Sequence, residues 1–285
     1  MLPHMTMRAT ATHIGAATVL LTVGDLRLLT DPALDPAGTT FTIPVPRGPA
    51  IRMRRVKDPA VTVTALPVVD AVLLTHDHPD HLDQAGLALA ASVPLVLTTP
   101  AAAGRLGPNA VGLQPWASHG ICRNGTRIRV TATPARHGPP EMARLVGEVT
   151  GFAITAAGTD DSAAYISGDT VYYDGLREIG RRFAVDTAFL FLGDAHFPQT
   201  GGTAFTMNSH QGAQLADELR ARRIVPVHYD SFDHLAEPAE AIGTAFTQAG
   251  LGDRLRWLRP GRCEPLTWPR SAGPGEERQE VAQPG

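Results

Sequence analysis

One segment of the chain concentrates three imidazoles and two carboxylates within six residues, from His76 to His81, directly behind the apolar residues 71–74. Side chains two positions apart in an extended chain point the same way, so His76 and His78 can approach one cation from one side. Pro79 then bends the chain, and Asp80 and His81 can turn towards a second cation. Imidazole and carboxylate suit zinc, iron and manganese. The spacing therefore predicts a strand that ends at a divalent-metal site rather than a loop of scattered surface histidines.

Three later segments repeat this arrangement of a strand pattern followed by a metal-binding residue. His137 follows the alternating residues 127–132, Asp169 follows residues 164–166, and His228 follows residues 224–226. A period-two or short apolar run is the pattern of a buried strand. The sequence thus predicts that several strands deliver ligands to one centre.

These segments together resemble the metallo-β-lactamase-fold hydrolases over roughly residues 10–260. The resemblance implies an α/β fold with mixed sheets, arranged as a four-layer αββα sandwich. It also implies the ligand sets of two metals: His76, His78 and His137 for one, Asp80, His81 and His228 for the other, and Asp169 as a bridge. The flanking segments look most like the ascorbate-6-phosphate lactonase-like branch, namely residues 29–32, 134–138, 167–170, 206–207 and 224–229.

Elementary chemistry supports this division of ligands. A carboxylate has two oxygens and can contact both ions, and the charges of Asp80 and Asp169 reduce the repulsion between two neighbouring dications. A zinc-bound water has its pKa lowered to ~7, so hydroxide is available at neutral pH. We expect a metal-bridging hydroxide to attack a small or medium lactone, ester or phosphodiester. Asp80, Asp169 and His196 are the predicted catalytic residues; His196 is either the proton donor to the leaving group or an ordinary loop histidine.

Other side chains have two interpretations each. Asp31, which precedes Pro32, either supports a ligand imidazole or forms a turn. Tyr229 either offers its phenol to the substrate or packs within the fold. A basic loop either binds an anionic substrate or forms a solvated surface; its cations are Arg47, Arg52, Arg54, Arg55 and Lys57. For His13, His119, His210 and His234 the favoured interpretation is that they take no part in catalysis.

Bulk properties limit the classes of function. With 285 residues and 43 % apolar content, the chain predicts one hydrolase domain over residues 8–268 and a disordered tail over residues 269–285. The net charge of -3 gives no indication of nucleic-acid binding. Two cysteines are too few for a disulfide framework, and no apolar stretch suits a signal peptide or a membrane span. We expect a cytoplasmic protein with a small-molecule substrate, able to self-associate.

The metal and the reaction class remain open at this point. Zinc is the favoured metal for two divalent sites, with manganese, iron or nickel as alternatives. One competing function is iron-dependent redox chemistry of the dioxygenase type on the same fold. Another is a metal-binding module without catalysis.

The local pattern predicts strands and helices in alternation. A hairpin is expected over residues 18–30 and a long loop over residues 36–60. Helices are expected over residues 83–91 and 175–183, from Asn208 or Ser209 to Arg220, and over residues 237–249, with a last strand over residues 254–258.

Overall fold

The computed structural model describes residues 7–45, 49–156 and 163–268. The predicted tail over residues 269–285 and Arg47 of the basic loop lie outside these residues. The strands are, in chain order, β1 (Met7–Gly15), β2 (Thr18–Val23), β3 (Leu26–Thr30), β4 (Thr40–Ile43), β5 (Ile51–Arg54), β6 (Ala71–Leu73), β7 (Val96–Thr98), β8 (Ala110–Gly112), β9 (Ser118–Arg123), β10 (Thr126–Pro134), β11 (Thr150–Ala156), β12 (Ala163–Ile166), β13 (Val185–Phe191), β14 (Arg223–Val227) and β15 (Cys263–Trp268).

Helices lie between many of these strands. The α-helices are α1 (Gln84–Ser92), α2 (Pro100–Ala103), α3 (Ala143–Val146), α4 (Arg177–Arg182), α5 (Ser209–Glu218) and α6 (Ala239–Gln248). Short 3-10 turns cover Val63–Ala65, Pro140–Met142, Asp174–Leu176, Pro198–Thr200 and Gly252–Arg254. No helix among the described residues is both long and apolar enough to cross a bilayer.

Two mixed sheets form the centre of the fold. One has seven strands in the order β15-β1-β2-β3-β6-β7-β8, the other has six in the order β14-β13-β12-β11-β10-β9, and β4 and β5 form a separate hairpin. Parallel pairs connect β3, β6, β7 and β8 in the first sheet and β12, β13 and β14 in the second. The mixed-sheet α/β prediction is therefore confirmed.

Side-chain alternation along the strands produces the layers. Phe189 and Phe191 of β13 pack in the apolar cluster that also contains Leu73 of β6, between the two sheets. The alternate residue Leu190 packs with Phe246 of α6 in a second cluster, on the outer face of the six-stranded sheet. A third cluster joins Val72 of β6 to the α1 side of the seven-stranded sheet. Because successive side chains of a strand face opposite ways, each sheet supplies two buried faces, giving the order helix, sheet, sheet, helix.

Several predicted elements agree with the structure. The β2–β3 hairpin is confirmed over residues 18–30. Helix α5 begins at Ser209, and Asn208 caps it in a reciprocal capping box with Gln211, although the helix ends at Glu218 rather than at Arg220.

Two predictions of local structure are wrong. The loop expected over residues 36–60 contains the β4–β5 hairpin. Its strands are short and largely exposed, so they show no periodic pattern of apolar residues in the sequence. The strand expected over residues 254–258 is a 3-10 turn followed by a single bridge between Leu255 and Ile224. The last strand is instead β15, which pairs antiparallel with β1 at the edge of the sheet. Such an edge position tolerates Pro265 within the strand.

The strand directions bring the candidate ligands to one end of the sandwich. Strands β10 and β12 are both antiparallel to β11, and β14 runs parallel to β12 through β13. The segments after β10, β12 and β14 therefore leave the six-stranded sheet at the same end. Hydrogen bonds from Thr150 N to Thr75 O (3.0 Å) and from His228 N to Ala16 O (3.0 Å) connect this end to the seven-stranded sheet.

Candidate metal centre

Three imidazoles form the first group of candidate ligands. His76 and His78 follow β6, and His137 follows β10. His78 Nδ1 and His137 Nε2 lie 3.2 Å apart, and the His76 ring centroid is 4.5 Å from that of His78 and 4.9 Å from that of His137. Two ligand atoms of one tetrahedral zinc ion lie about 3.3 Å apart, because each bond is about 2 Å long. The three rings therefore converge as ligands of one cation would.

Backbone carbonyls fix the tautomers of two of these rings. His78 Nε2 lies 2.9 Å from Val146 O, and His137 Nδ1 lies 2.9 Å from Phe205 O. A carbonyl can only accept, so each of these nitrogens carries the proton and donates it. The lone pairs of His78 Nδ1 and His137 Nε2 consequently face the interior of the group, as metal binding requires.

A second group combines Asp80, His81 and His228, all of them buried. Asp80 Oδ2 lies 3.4 Å from His228 Nε2 and 3.8 Å from His81 Nε2. His228 has a φ of 54°, in the left-handed region that is costly for residues with a side chain. Such strain in a buried histidine is typical of positions where function fixes the side-chain direction.

Asp169 lies between the two groups. Its Oδ2 is 3.2 Å from His81 Nε2, 3.7 Å from His137 Nε2 and 3.9 Å from His76 Nε2. Its Oδ1 is 3.5 Å from His228 Nδ1. One carboxylate thus approaches imidazoles of both groups. This is the position expected of a ligand shared by two cations.

Unsatisfied polar atoms indicate that the centre suits cations. Buried atoms without a hydrogen-bond partner among the described residues include His76 Nε2, Asp169 Oδ1 and both ring nitrogens of His228. Leaving such atoms unpaired costs about 1–3 kcal/mol each. Imidazole lone pairs and carboxylate oxygens are ligands of divalent metals, so the donor set is suited to metal binding.

Asp31 supports the centre from behind His81. Its Oδ2 lies 3.1 Å from His81 Nδ1 and also accepts the Thr75 hydroxyl at 2.8 Å, while its Oδ1 accepts the Thr75 N–H at 2.6 Å. The side chain is fully buried. These contacts favour the interpretation of Asp31 as the carboxylate that orients a ligand imidazole over that of a simple turn residue.

Burial and neighbouring charges shift the pKa values of the candidate ligands in both directions. Burial lowers the pKa of His81, but Asp169 and Asp80 outweigh this effect and raise it well above its ordinary value. Burial lowers the pKa of His137 to about 4 and, with the neighbouring imidazoles, places that of His76 well below its ordinary value. Burial raises the pKa of Asp169, but His228 and His81 outweigh this effect and hold it below its usual range. The Asp80 carboxyl behaves in the same way, its pKa lowered against burial by His81, His228 and His234. At neutral pH the two carboxylates are therefore ionised, and His76 and His137 are neutral.

A cavity of about 450 Å³ lies beside this centre. Its lining comes from the β4–β5 hairpin, the segment after β13 and the segment after β14, and consists of Ala50, Arg52, His196, Phe197, Pro198, Gln199, Asp233, His234 and Ala236. Arg52 and His196 thus share one cavity, and a contact of either residue with a substrate stays a prediction. The Nδ1–H of His196 donates to Asp194 O at 2.8 Å.

Arg55 does not face this cavity. Its side chain is fully buried, with Nη1 donating to Ala33 O at 2.7 Å and Nε donating to Lys57 O at 2.8 Å. The guanidinium also lies 3.9 Å from Asp83 and over the Phe232 ring. This position contradicts the predicted substrate contact, because the alternation of β5 continues into residue 55 and turns it inward while Arg52 and Arg54 stay exposed.

Tyr229 and Arg54 lie elsewhere. The Tyr229 ring packs edge-on against Trp257 with centroids 5.5 Å apart, and burial raises its pKa to about 12. This packing favours a role within the fold over a role at the substrate. Arg54 is exposed beyond the cavity lining, and its backbone N–H donates to Asp233 at 2.9 Å.

His234, which the sequence motifs do not mark, lies at the centre. Its Nε2 is 3.2 Å from Asp80 Oδ2, and its ring stacks on Phe197 with centroids 5.2 Å apart. The signal available in the sequence is weak, since His234 follows His228 by six residues without an apolar run before it. Only the turn after β14 brings it back to Asp80.

Fold and site together define a metal-binding α/β sandwich, and comparisons with known proteins agree. The family model described as "Beta-lactamase superfamily domain" matches residues 26–229. A UPF0173 metal-dependent hydrolase of Pyrobaculum aerophilum is 30 % identical over 251 residues, which span 87 % of this chain and 95 % of the relative. The chain belongs to the UPF0173 metal-dependent hydrolase family of the β-lactamase superfamily.

Solved structures share the same fold. An isothiocyanate hydrolase from Delia radicum gut bacteria aligns with a TM-score of 0.74 and 23 % identity, covering 90 % of this chain and 99 % of that one. A metallo hydrolase of the archaeon Ignicoccus hospitalis aligns with a TM-score of 0.67 and 19 % identity, covering 92 % and 99 %. The metallo-β-lactamase fold is thus confirmed, whereas the ascorbate-6-phosphate lactonase-like branch stays a prediction.

Proposed function

We propose that this metal-dependent hydrolase uses two divalent cations, zinc being favoured, to cleave a lactone, ester or phosphodiester of small or medium size. His76, His78 and His137 would hold one cation, Asp80, His81 and His228 the other, and Asp169 would contact both. The observation that carries the proposal is the position of the Asp169 carboxylate, with one oxygen 3.7 Å from His137 and the other 3.5 Å from His228.

When bound, such cations lower the pKa of water towards neutrality and polarise a carbonyl or phosphoryl oxygen. The chain's own residues supply orientation and proton transfer. Asp31 holds the Nδ1–H of His81 and so keeps His81 Nε2 directed at the centre. Val146 and Phe205 do the same for His78 and His137 through their carbonyls.

His196 is the proposed proton donor to the leaving group. Its Nδ1–H is held by Asp194 O, so a second proton can be carried only on Nε2. The imidazole lies in the cavity beside the centre and its side chain is 40 % exposed, which leaves room for a substrate against it. An imidazole is suited to this task because its ordinary pKa lies near neutrality.

The test begins with elemental analysis of protein purified without chelator, followed by a panel of lactones, esters, phosphodiesters and isothiocyanates. We expect two equivalents of metal per chain and turnover of a lactone, ester or phosphodiester. Iron with oxygen consumption would favour the redox alternative, and bound metal without turnover of any compound would favour a binding module. Turnover of isothiocyanates alone would agree with the proposed metal centre but contradict the proposed lactone, ester or phosphodiester bond.

An Asp169→Ala variant tests the shared ligand. It should stay folded by circular dichroism, lose at least one equivalent of metal and lose activity. Asp77→Ala is the matched control, because Asp77 stands between the candidate ligands His76 and His78 but pairs with Arg105 at 2.6 and 2.8 Å. Full metal content in folded Asp169→Ala would contradict the proposal.

A further inference from the structure

The cavity beside the metal centre has a chemical character of its own. His234 belongs to its lining, and the Nε2 atom of this residue lies 3.2 Å from Oδ2 of the candidate metal ligand Asp80. Its volume of about 450 Å³ falls in the range of small-molecule sites. A substrate that reaches the centre therefore has room to place its uncleaved part here.

Arg52 is the cation available in this cavity. Its side chain is exposed on β5, and no carboxylate of the described residues lies within 4.0 Å of its guanidinium. Lys57, in contrast, pairs with Asp230 at 2.7 Å. The one acidic residue in the lining, Asp233, accepts the Arg54 backbone N–H through Oδ1. Arg52 thus offers a planar pair of donors to an anionic ligand.

Aromatic and apolar groups form another part of the lining. Phe197 and His234 stack with an interplanar angle of 22°, and Pro198, Ala50 and Ala236 complete the apolar portion. Flat aromatic surfaces favour planar ligands, which pack on them with offset geometry. The lining therefore combines one unpaired guanidinium with a planar apolar wall.

From this combination we propose that the cavity binds the uncleaved part of the substrate, and that this part is an organic oxyanion with a planar, apolar body. Arg52 would pair with its carboxylate or phosphate, and Phe197 would pack against its body. The inference rests on the proposed hydrolytic function and narrows its substrate class.

Binding of benzenesulfonate to the metal-loaded protein, measured by calorimetry, tests this inference without turnover. A sulfonate is a weak ligand for zinc, so the probe reports on the cavity rather than on the metals. We expect saturable binding that Arg52→Ala weakens about tenfold or more, because a charge-assisted pair is lost. Phe197→Ala should weaken benzenesulfonate but leave the weaker binding of methanesulfonate unchanged.

Arg54→Ala is the matched control, since Arg54 lies two residues along the same exposed face of β5 and outside the cavity. It should change the affinity less than about twofold. Equal losses in Arg52→Ala and Arg54→Ala, equal binding of neutral benzyl alcohol, or no saturable binding would overturn the inference. If the protein hydrolyses esters but binds benzenesulfonate equally well without Arg52, this inference alone is contradicted. If binding depends on Arg52 but the protein hydrolyses no compound of the panel, the proposed function is contradicted.

Discussion

Asp31 and His81 are 50 residues apart in the chain, yet Asp31 Oδ2 lies 3.1 Å from His81 Nδ1 in the interior of the fold. The parallel pairing of β3 with β6 brings the two strand ends together. The same carboxylate binds both the N–H and the hydroxyl of Thr75, so the loop that carries four candidate ligands is anchored by one buried anion.

Replacing Asp31 by Asn should therefore weaken metal binding more than it weakens the fold. The two oxygens of Asp31 now accept three hydrogen bonds, whereas the amide of an asparagine has only one acceptor oxygen. We therefore expect the zinc affinity to fall about 10–100-fold. Competition with a chromophoric chelator measures this. Asp83→Asn is the control, because Asp83 is an equally buried carboxylate that caps α1 and touches no ligand. Equal losses of zinc affinity in the two variants would contradict the proposed role of Asp31 in orienting His81.

His234→Phe should keep the stacking on Phe197 but lose the contact with Asp80. Since Asp80 then has one fewer partner to fix its carboxylate, kcat should fall about tenfold while the first equivalent of metal remains bound. His234→Gln, which keeps an N–H donor, should recover part of kcat. Steady-state kinetics and metal titration measure the effect, and identical kcat values for these two variants would exclude positioning through this hydrogen bond.

Arg55→Met should destabilise the protein without changing substrate binding. The Ala33 and Lys57 carbonyls lose charge-assisted hydrogen bonds in a buried site, and we expect the free energy of unfolding to fall by about 3 kcal/mol. Urea denaturation checks the stability, and KM for an anionic ester checks the site. Arg54→Ala, on the exposed face, should change the free energy of unfolding by less than about 0.5 kcal/mol. A raised KM in Arg55→Met at unchanged stability would restore the substrate role.

His13 should contribute to acid sensitivity. Its ring is buried and its Nε2–H donates to Ala16 O at 3.0 Å, and burial lowers its pKa below 6.5. Below pH 6.5 the His13 imidazole therefore binds a proton more readily in the unfolded chain than in the folded protein. The stability present above pH 6.5 is lost as the pH falls below this value, by up to about 1.4 kcal/mol of unfolding free energy per pH unit.

Urea denaturation of metal-depleted protein at pH 7.5 and pH 5.5 isolates this contribution. His13→Gln should show a smaller loss of stability between the two pH values than the unmodified protein. His119→Gln, on the partly exposed edge strand β9, should show the same loss as the unmodified protein. A pH dependence unaffected by His13→Gln would refute the assignment.

Much of the centre could be predicted because its ligands follow strands. His76, His137, Asp169 and His228 each come after a buried run, and strands of one sheet that run the same way end at the same edge. The parallel order of β12, β13 and β14 then places Asp169 and His228 side by side. Local periodicity was sufficient here, because burial of both sheet faces makes β6, β12 and most of β14 apolar, whereas β10 begins with alternating buried and exposed residues.

The remaining features depend on tertiary contacts that leave no local pattern. Strand β15 contains a proline and a glutamate, and among the described strands its pairing partner is β1. His234 contacts Asp80 because of an irregular turn after β14. Arg55 is buried because its guanidinium pairs with Asp83 and donates hydrogen bonds to two backbone carbonyls. A sequence shows the type of such side chains but not the groups that meet them.

We propose that seven side chains from both sheets bind two cations, with Asp169 between them. The most direct measurement is anomalous X-ray diffraction at the absorption edge of the metal found in protein purified without chelator. We expect two anomalous peaks, one among His76, His78 and His137 and the other among Asp80, His81 and His228, each within bonding distance of Asp169. A single peak away from Asp169, or peaks bound by other side chains, would contradict it.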